Sequence, residues 1–170
     1  MFAGGIATAV KAYKTSGSEM ASAISALGGT ATSANVPLEE QLSVLGMLQA
    51  TMSGREAATK YKALLNAATG AGEKLGLNFL DADKQLRSLP EILGILKSKY
   101  GDTIDAVEKK KIKEAFGSDE AVAVIDLLYG KTGELQTGIL DMYDALGGGS
   151  SAAQEMATAI NATESQKYTV

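Results

Sequence analysis

The chain contains no cysteine, no histidine and no tryptophan, and its 170 residues include only two prolines and three phenylalanines. Without cysteine there is no disulfide and no thiol nucleophile, and the redox compartment stays open because cytosolic proteins need no bridges. Without histidine a Ser-His-Asp arrangement is excluded at once. The two absences together remove the usual zinc ligands. Six tyrosines are the only other rings, so the core must rely on leucine, isoleucine, valine and close helix contacts. No window offers about 18 uncharged apolar residues, and the apolar start MFAGGIATAV has no basic region before it and is too short to span a bilayer. The chain reads as soluble, and Met1 reads as an expression start on a fragment cut from something longer. A net charge of −4 gives nucleic acid no broad electrostatic reason to bind.

What is present is helix grammar. A hydrophobic fraction of 45% suffices for a packed core in one domain with a modest tail at each end. Ser18 is a candidate cap for a helix over Glu19 to Leu27, stopped by Gly28-Gly29, and the Ser/Thr-rich stretch from Thr30 to Asn35 reads as a loop. Pro37 suits a helix first turn, and Glu39 and Glu40 sit at the positive end of that helix dipole. Leu38, Leu42, Leu45, Leu48 and Met52 recur at helical steps along one stripe. Ser53 with Glu56 forms a capping box for a second helix, whose buried face takes Ala57, Tyr61, Leu64, Leu65 and Ala68. Gly70, Gly72 and Gly76 discourage its extension, and LNFLDADKQLRS reads as a small β-hairpin near 77–87 that turns from Asp81 to Lys84.

Helical pattern then resumes. Ser88 and Glu91 make another capping box with Pro90 in the first turn, and Ile92, Leu93, Ile95, Leu96 and Tyr100 form its stripe before Gly101. Ile104, Val107, Ile112, Ala115 and Phe116 mark a charged helix that Gly117 ends, and Ser118 starts the next, with Val122, Ile125, Leu128 and Tyr129 inside. Leu135, Ile139, Met142, Tyr143 and Leu146 carry the chain to Gly147-Gly148-Gly149-Ser150, a breaker ahead of a weak last helix over Ser151 to Ala162. The expected fold class is all-α, an irregular or orthogonal array of seven to eight short helices with the one small hairpin. The expected organisation is a flexible or partly helical lead over 1–17, a helical domain over 18–146 and a glycine-rich break with a weak helix and tail over 147–170.

Candidate chemistry is sparse. Asp81-Ala82-Asp83 resembles the start of a calcium loop, but Lys84, Leu86 and Pro90 break the ligand pattern, so a solvated turn is the better reading. Lys109-Lys110-Lys111-Ile112-Lys113 is the only basic run, and Asp105, Glu108 and Glu114 flank it at helix distances that favour local ion pairs over a phosphate or anionic-lipid contact. The glycine pairs lack phosphate-loop wording. Tyr61, Tyr100, Tyr129 and Tyr143 fall on apolar faces and read as core tyrosines with wetted hydroxyls. No catalytic, cofactor-binding or metal residues are identified, and no enzyme activity is expected.

Three segments, taken in order and spacing, carry a resemblance: VPLEEQLSVLGMLQATMSGREAATKYKALL, LGLNFLDADKQLRSLPEIL and IKEAFGSDEAVAVIDLL, with EMASAISALGGTATSANV as lead-in. Over roughly residues 10 to 146 the chain resembles the shared helical region of phage tail tape measure proteins. That family commonly closes the first helix of the pair with glycine, where this chain has Thr51 or Met52. Its hairpin usually turns through an acidic or amide residue and glycine, whereas here Asp83 meets Lys84. The resemblance implies a scaffold role without catalytic residues, as a structural and assembly module in tail assembly, length determination and DNA ejection. The implied partners are tail-tube proteins, tail assembly chaperones or tail-tip and baseplate proteins, with self-association and a late contact with the host envelope. The implied location is the virion tail lumen of a phage or prophage, with the host cytoplasm during assembly. The alternative is a helical protein-interaction domain unrelated to tails.

Overall fold

The computed structural model describes residues 2–13 and 15–147, with side chains from residue 6 onward apart from residue 14. The architecture is all-α. In chain order the helices are α1 (Phe2–Tyr13), α2 (Gly17–Leu27), the single turn α3 (Thr30–Ser33), α4 (Leu38–Leu48), α5 (Gly54–Leu75), α6 (Leu89–Tyr100), α7 (Ala106–Phe116), α8 (Asp119–Leu128) and α9 (Thr132–Ala145), with a 3-10 turn over Tyr129–Lys131 joining the last two. The break from Gly148 to Ser150 and the weak helix expected over Ser151 to Ala162 lie outside the described residues.

Helix α4 is the middle of the molecule. Its leucine stripe is buried as the periodicity requires, with Leu38, Leu42, Leu45 and Leu48 all at 1% exposure or less. Val44, Gly46, Gln41 and Ser43 on its other sides are buried too. One stripe was expected, yet the helix is enclosed by α1, α2, α5 and α9. Gln41 meets the cost of burying an amide by donating to the Val36 carbonyl at 2.8 Å.

Helix α5 is the second organiser, with α2 and α3 on one side and α7 and α8 packed elsewhere along it. Its start is the capping box read from Ser53 and Glu56. Its length was not expected: it runs 22 residues, through Gly70 and Gly72, to Leu75. Tertiary packing overrides glycine's poor propensity here. Gly72 is buried because a Cβ would stand 3.0 Å from both the Leu77 carbonyl and the Phe79 ring, so the glycine lets the following loop fold back on the helix. Gly76 takes the left-handed conformation at φ 70°, and the Leu77 N–H returns to the Gly72 carbonyl at 2.8 Å, a Schellman-type stop. Phe79 then sits against Phe116 of α7, ring centroids 6.4 Å apart.

The hairpin expected near 77–87 is present as a turn closed by one antiparallel bridge, Leu80 to Leu86, and no strand forms among the described residues. Asp81 explains the tightness: its Oδ1 accepts from the Asp83 and Gln85 N–H groups at 2.8 and 3.0 Å. Lys84 is left at φ 62°, a conformation costing a non-glycine residue roughly 1–2 kcal/mol. That is the position where the tape measure pattern has glycine.

Several boundaries shift. The cap of α2 is Ser16, whose hydroxyl accepts from Glu19 N–H, rather than Ser18. The stretch Thr30 to Asn35 holds the helical turn α3 and ends with Asn35 at φ 60°. Pro37 stands at the cap of α4, one position before its first turn. Helix α7 has a capping box of its own, Asp105 with Glu108. Val107 faces solvent at 66% exposure rather than the core. The Ser88–Glu91 box, Pro90 in the first turn of α6, and the stops at Gly101 and Gly117 stand as read.

Helix ends are also satisfied across the fold. Glu19 of α2 accepts from the Gly54 N–H of α5 at 2.6 Å. Lys99 of α6 donates to the Leu75 carbonyl that ends α5, at 2.6 Å. Glu40 of α4 accepts from the Leu89 N–H that opens α6, at 3.0 Å. Each bond serves an orphan helix-end group and fixes one helix against another.

Two expectations follow. Leu45→Ala should cost about 2–5 kcal/mol, read by denaturant titration; an unchanged midpoint would contradict full burial of that side chain. Glu40 supplies the second. Burial pushes its carboxyl up to about 7; the Leu89 N–H opposes this, and Glu39 and Glu91 add to it. The folded protein therefore holds the proton more tightly than the unfolded chain. Stability is greatest below the ordinary value of 4.5 and falls as pH rises through the window from 4.5 to about 7. Glu40→Gln should remove this slope, leaving the variant more stable at pH 8 by up to about 3 kcal/mol and equal to the parent near pH 4. Melting curves across that range check it, and parallel stability profiles would refute it.

Candidate docking groove

A concavity lies where α1, the C-terminal end of α4 and one face of α9 meet. It is a trough of about 930 Å³ whose α9 side runs from Lys131 to Ala145. Many of its lining residues are small, among them Ala12, Gly46, Ala50, Gly133, Gly138 and Ala145, with the half-buried Met47 and the buried Met142 as larger apolar side chains.

Tyr13 holds the trough together. Its ring lies against Gly46 of α4 so closely that any side chain there would strike it, and its hydroxyl lies equally close to Gly138 of α9. A glycine inside a helix costs roughly 1 kcal/mol relative to alanine, and at both positions the lost Cβ is the notch the tyrosine fills. The Tyr13 hydroxyl and the fully buried Ser43 hydroxyl lie close to each other but form no hydrogen bond of good geometry. Burial raises the Tyr13 hydroxyl's pKa, Ser43 pulls it down, and the Asp141 charge raises it. One side chain thus pins three helices together.

The trough's charged rim is Lys131, Glu134 and Asp141, all exposed. Neither carboxylate forms an ion pair or a side-chain hydrogen bond with any described residue.

The residues singled out from sequence fall elsewhere. Asp81 organises the turn at 81–87 with its side chain, Asp83 joins it through its backbone N–H, and neither lines the trough. Among the described residues, no group of three or more acidic side chains is placed to hold a metal ion. The basic run forms ion pairs, but with different partners from those expected. Lys109 reaches Asp126 at 3.4 Å and Lys113 reaches Asp119 at 3.0 Å, both partners on α8, while Asp105 and Glu108 are engaged in the α7 cap. These exposed pairs add little stability. Tyr61 and Tyr100 bury their hydroxyls without partners rather than wetting them, Tyr129 donates its hydroxyl to the Gly101 carbonyl, and Tyr143 is half-buried. Burial pushes the Tyr61 hydroxyl well above its ordinary range, and the charge of Glu40 adds to it.

Glu40 is the side chain whose perturbed acidity would attract a catalytic reading. It is 4% exposed, is occupied by the Leu89 N–H, and does not line the trough. Sequence reading missed it, along with Tyr13, Gly46 and Gly138. The available signal was a glycine in the middle of each of two well-patterned helices. No described helix is long and apolar enough to cross a membrane.

A family model described as phage-related minor tail protein matches residues 1–117. No curated protein and no solved structure matches the chain. The matched segment takes in the described helices from α1 to α7 and ends at Gly117, so α8 and the α9 wall of the trough lie beyond it.

The notch has a measurable signature. Gly46→Ala should destabilise the fold by roughly 1–3 kcal/mol through overpacking, and Tyr13→Ala should relieve most of that penalty. A double-mutant cycle returning additive effects would rule out the tyrosine as the cause.

Proposed function

Because the chain belongs to the phage-related minor tail protein family, we propose that it is a folded, non-enzymatic station of a tail tape measure protein. Membership gives it a structural role in a phage tail. The finer reading rests on the order and spacing of the three segments between Val36 and Leu128, which resemble the tape measure module, and on the family match over residues 1–117. In this reading the parent molecule occupies the tail lumen while tube subunits assemble around it, limits the tube's length and leaves ahead of the DNA. The domain docks on a tube, chaperone or tail-tip protein during assembly in the host cytoplasm.

The physical case for docking rather than catalysis lies in the distribution of chemistry. The carboxyl with the strongest upward push is sealed in the core as a helix cap, and the open trough is lined mainly by small and apolar side chains. Such a surface binds shape and has little with which to move protons.

The test is genetic. In a phage encoding this chain, removing the codons for residues 36–146 in frame should yield missing, malformed or mis-sized tails by electron microscopy, with infectivity lost. Tails of normal form and unchanged length, with full infectivity, would discard the reading.

A further inference from the structure

We propose that the trough between α1, α4 and α9 receives one amphipathic helix of another tail protein, its small-residue ridge on the floor and basic side chains against Glu134 and Asp141. This deepens the docking reading above and rests on it. The shape argues for a helix: the α9 wall from Lys131 to Ala145 extends about 21 Å at 1.5 Å per residue. A trough open along that length suits a rod better than a compact ligand, which favours enclosure and several converging polar groups. Ala50, Gly133 and Ala145 are small and exposed, so a partner backbone can come close, and Met47 is a side chain that adapts to an incoming surface.

Charge sets the partner's chemistry. Glu134 and Asp141 are seven residues apart on α9, hence on one face and about 10.5 Å apart along the axis. Both are exposed and neither is neutralised within the described fold. Lys131 stands at the opposite end from Asp141, so the rim reads plus, minus, minus along α9. Such a pattern contributes direction and selectivity more than raw affinity. Basic residues two turns apart on a partner helix complete it.

The probes are two fluorescein-labelled 18-residue peptides with the same alanine-rich ridge, one carrying lysines seven residues apart and the other glutamates there. Fluorescence anisotropy at low salt with the intact 170-residue chain should show at least tenfold tighter binding of the lysine peptide, with the preference narrowing as salt is added. The exposed double substitution Glu134→Lys with Asp141→Lys should reverse the preference, and Ala50→Trp, which fills the floor from an exposed position, should weaken both peptides. Circular dichroism confirms that each variant is folded. The absence of native cysteine makes Ala145→Cys a single reporter. Its alkylation by a maleimide should be fast in the free chain and slowed by the lysine peptide.

Equal binding of the two peptides, no binding of either, or no reversal by the charge swap would overturn the proposal. Slow alkylation without peptide at every concentration would mean the chain fills its own trough. Slowing only at high concentration would mean that a second copy does. Either result also overturns it. These are measurements on purified protein, so their failure is separate from any tail phenotype.

Discussion

The structure depends on burying α4 on nearly every side. An amphipathic helix needs one apolar neighbour; this one hides nine of its eleven residues and therefore needs neighbours all round. Helices α1, α2, α5 and α9 take those places, which explains why elements far apart in sequence meet at so short a segment. The consequence is a fold held by non-local contacts. Leu42, Leu45 and Leu48 meet the core as their stripe demands, while Gln41, Ser43 and Gly46 are buried by what arrives on the other faces. Burying a glutamine and a serine is tolerable only because so little polar surface is involved, and the Gln41 amide finds a carbonyl.

Short helices make their ends a large share of the structure, and each end leaves backbone groups unsatisfied. Local boxes serve three of them, at Ser53, Ser88 and Asp105. Others are completed from a distance, by Glu19 on α5, Glu40 on α6 and Lys99 on the last turn of α5. Glu40 shows the tension in this device. A carboxylate at a helix N-terminus is favoured by the dipole and the N–H it accepts, yet burial and two neighbouring glutamates push its proton affinity up. Desolvation wins, so the fold is most stable where the carboxyl need not carry full charge, although the N–H bond itself favours the charged form.

How much of this was legible follows from the range of the interaction. Capping boxes are written within four residues, so Ser53 with Glu56 and Ser88 with Glu91 could be read directly. The leucine stripe of α4 is likewise periodic and local. The rest was not local. Gly72 looked like a helix breaker because nothing nearby shows that Phe79 would occupy the space of its missing side chain. Gly46 and Gly138, ninety-two residues apart in number, become one notch only when Tyr13 enters both. Glu40 looked like an ordinary first-turn acid at the start of its own helix, and its partner is the first residue of a helix forty-nine residues later. The candidate groove was invisible for the same reason: its walls come from three helices, and none of its residues carries a motif.

The trough straddles a boundary in the chain. Residues matched by the minor tail family supply α1 and α4, while α9 lies beyond Gly117. The matched segment alone leaves uncovered the side of α4 that α9 packs on, where Gly138 lies near Ser43. Helix α9 completes the burial of α4 in this chain, and its outward face is not constrained by the core. Glu134 and Asp141 occupy that unconstrained face, where a partner can be selected without cost to folding. Length offers the complementary argument. The longest helix among the described residues, α5, spans about 33 Å at 1.5 Å per residue, too little to set the length of a tube. In the reading proposed above, measuring therefore belongs to the extended parent, and this domain contributes a surface at a defined place along it.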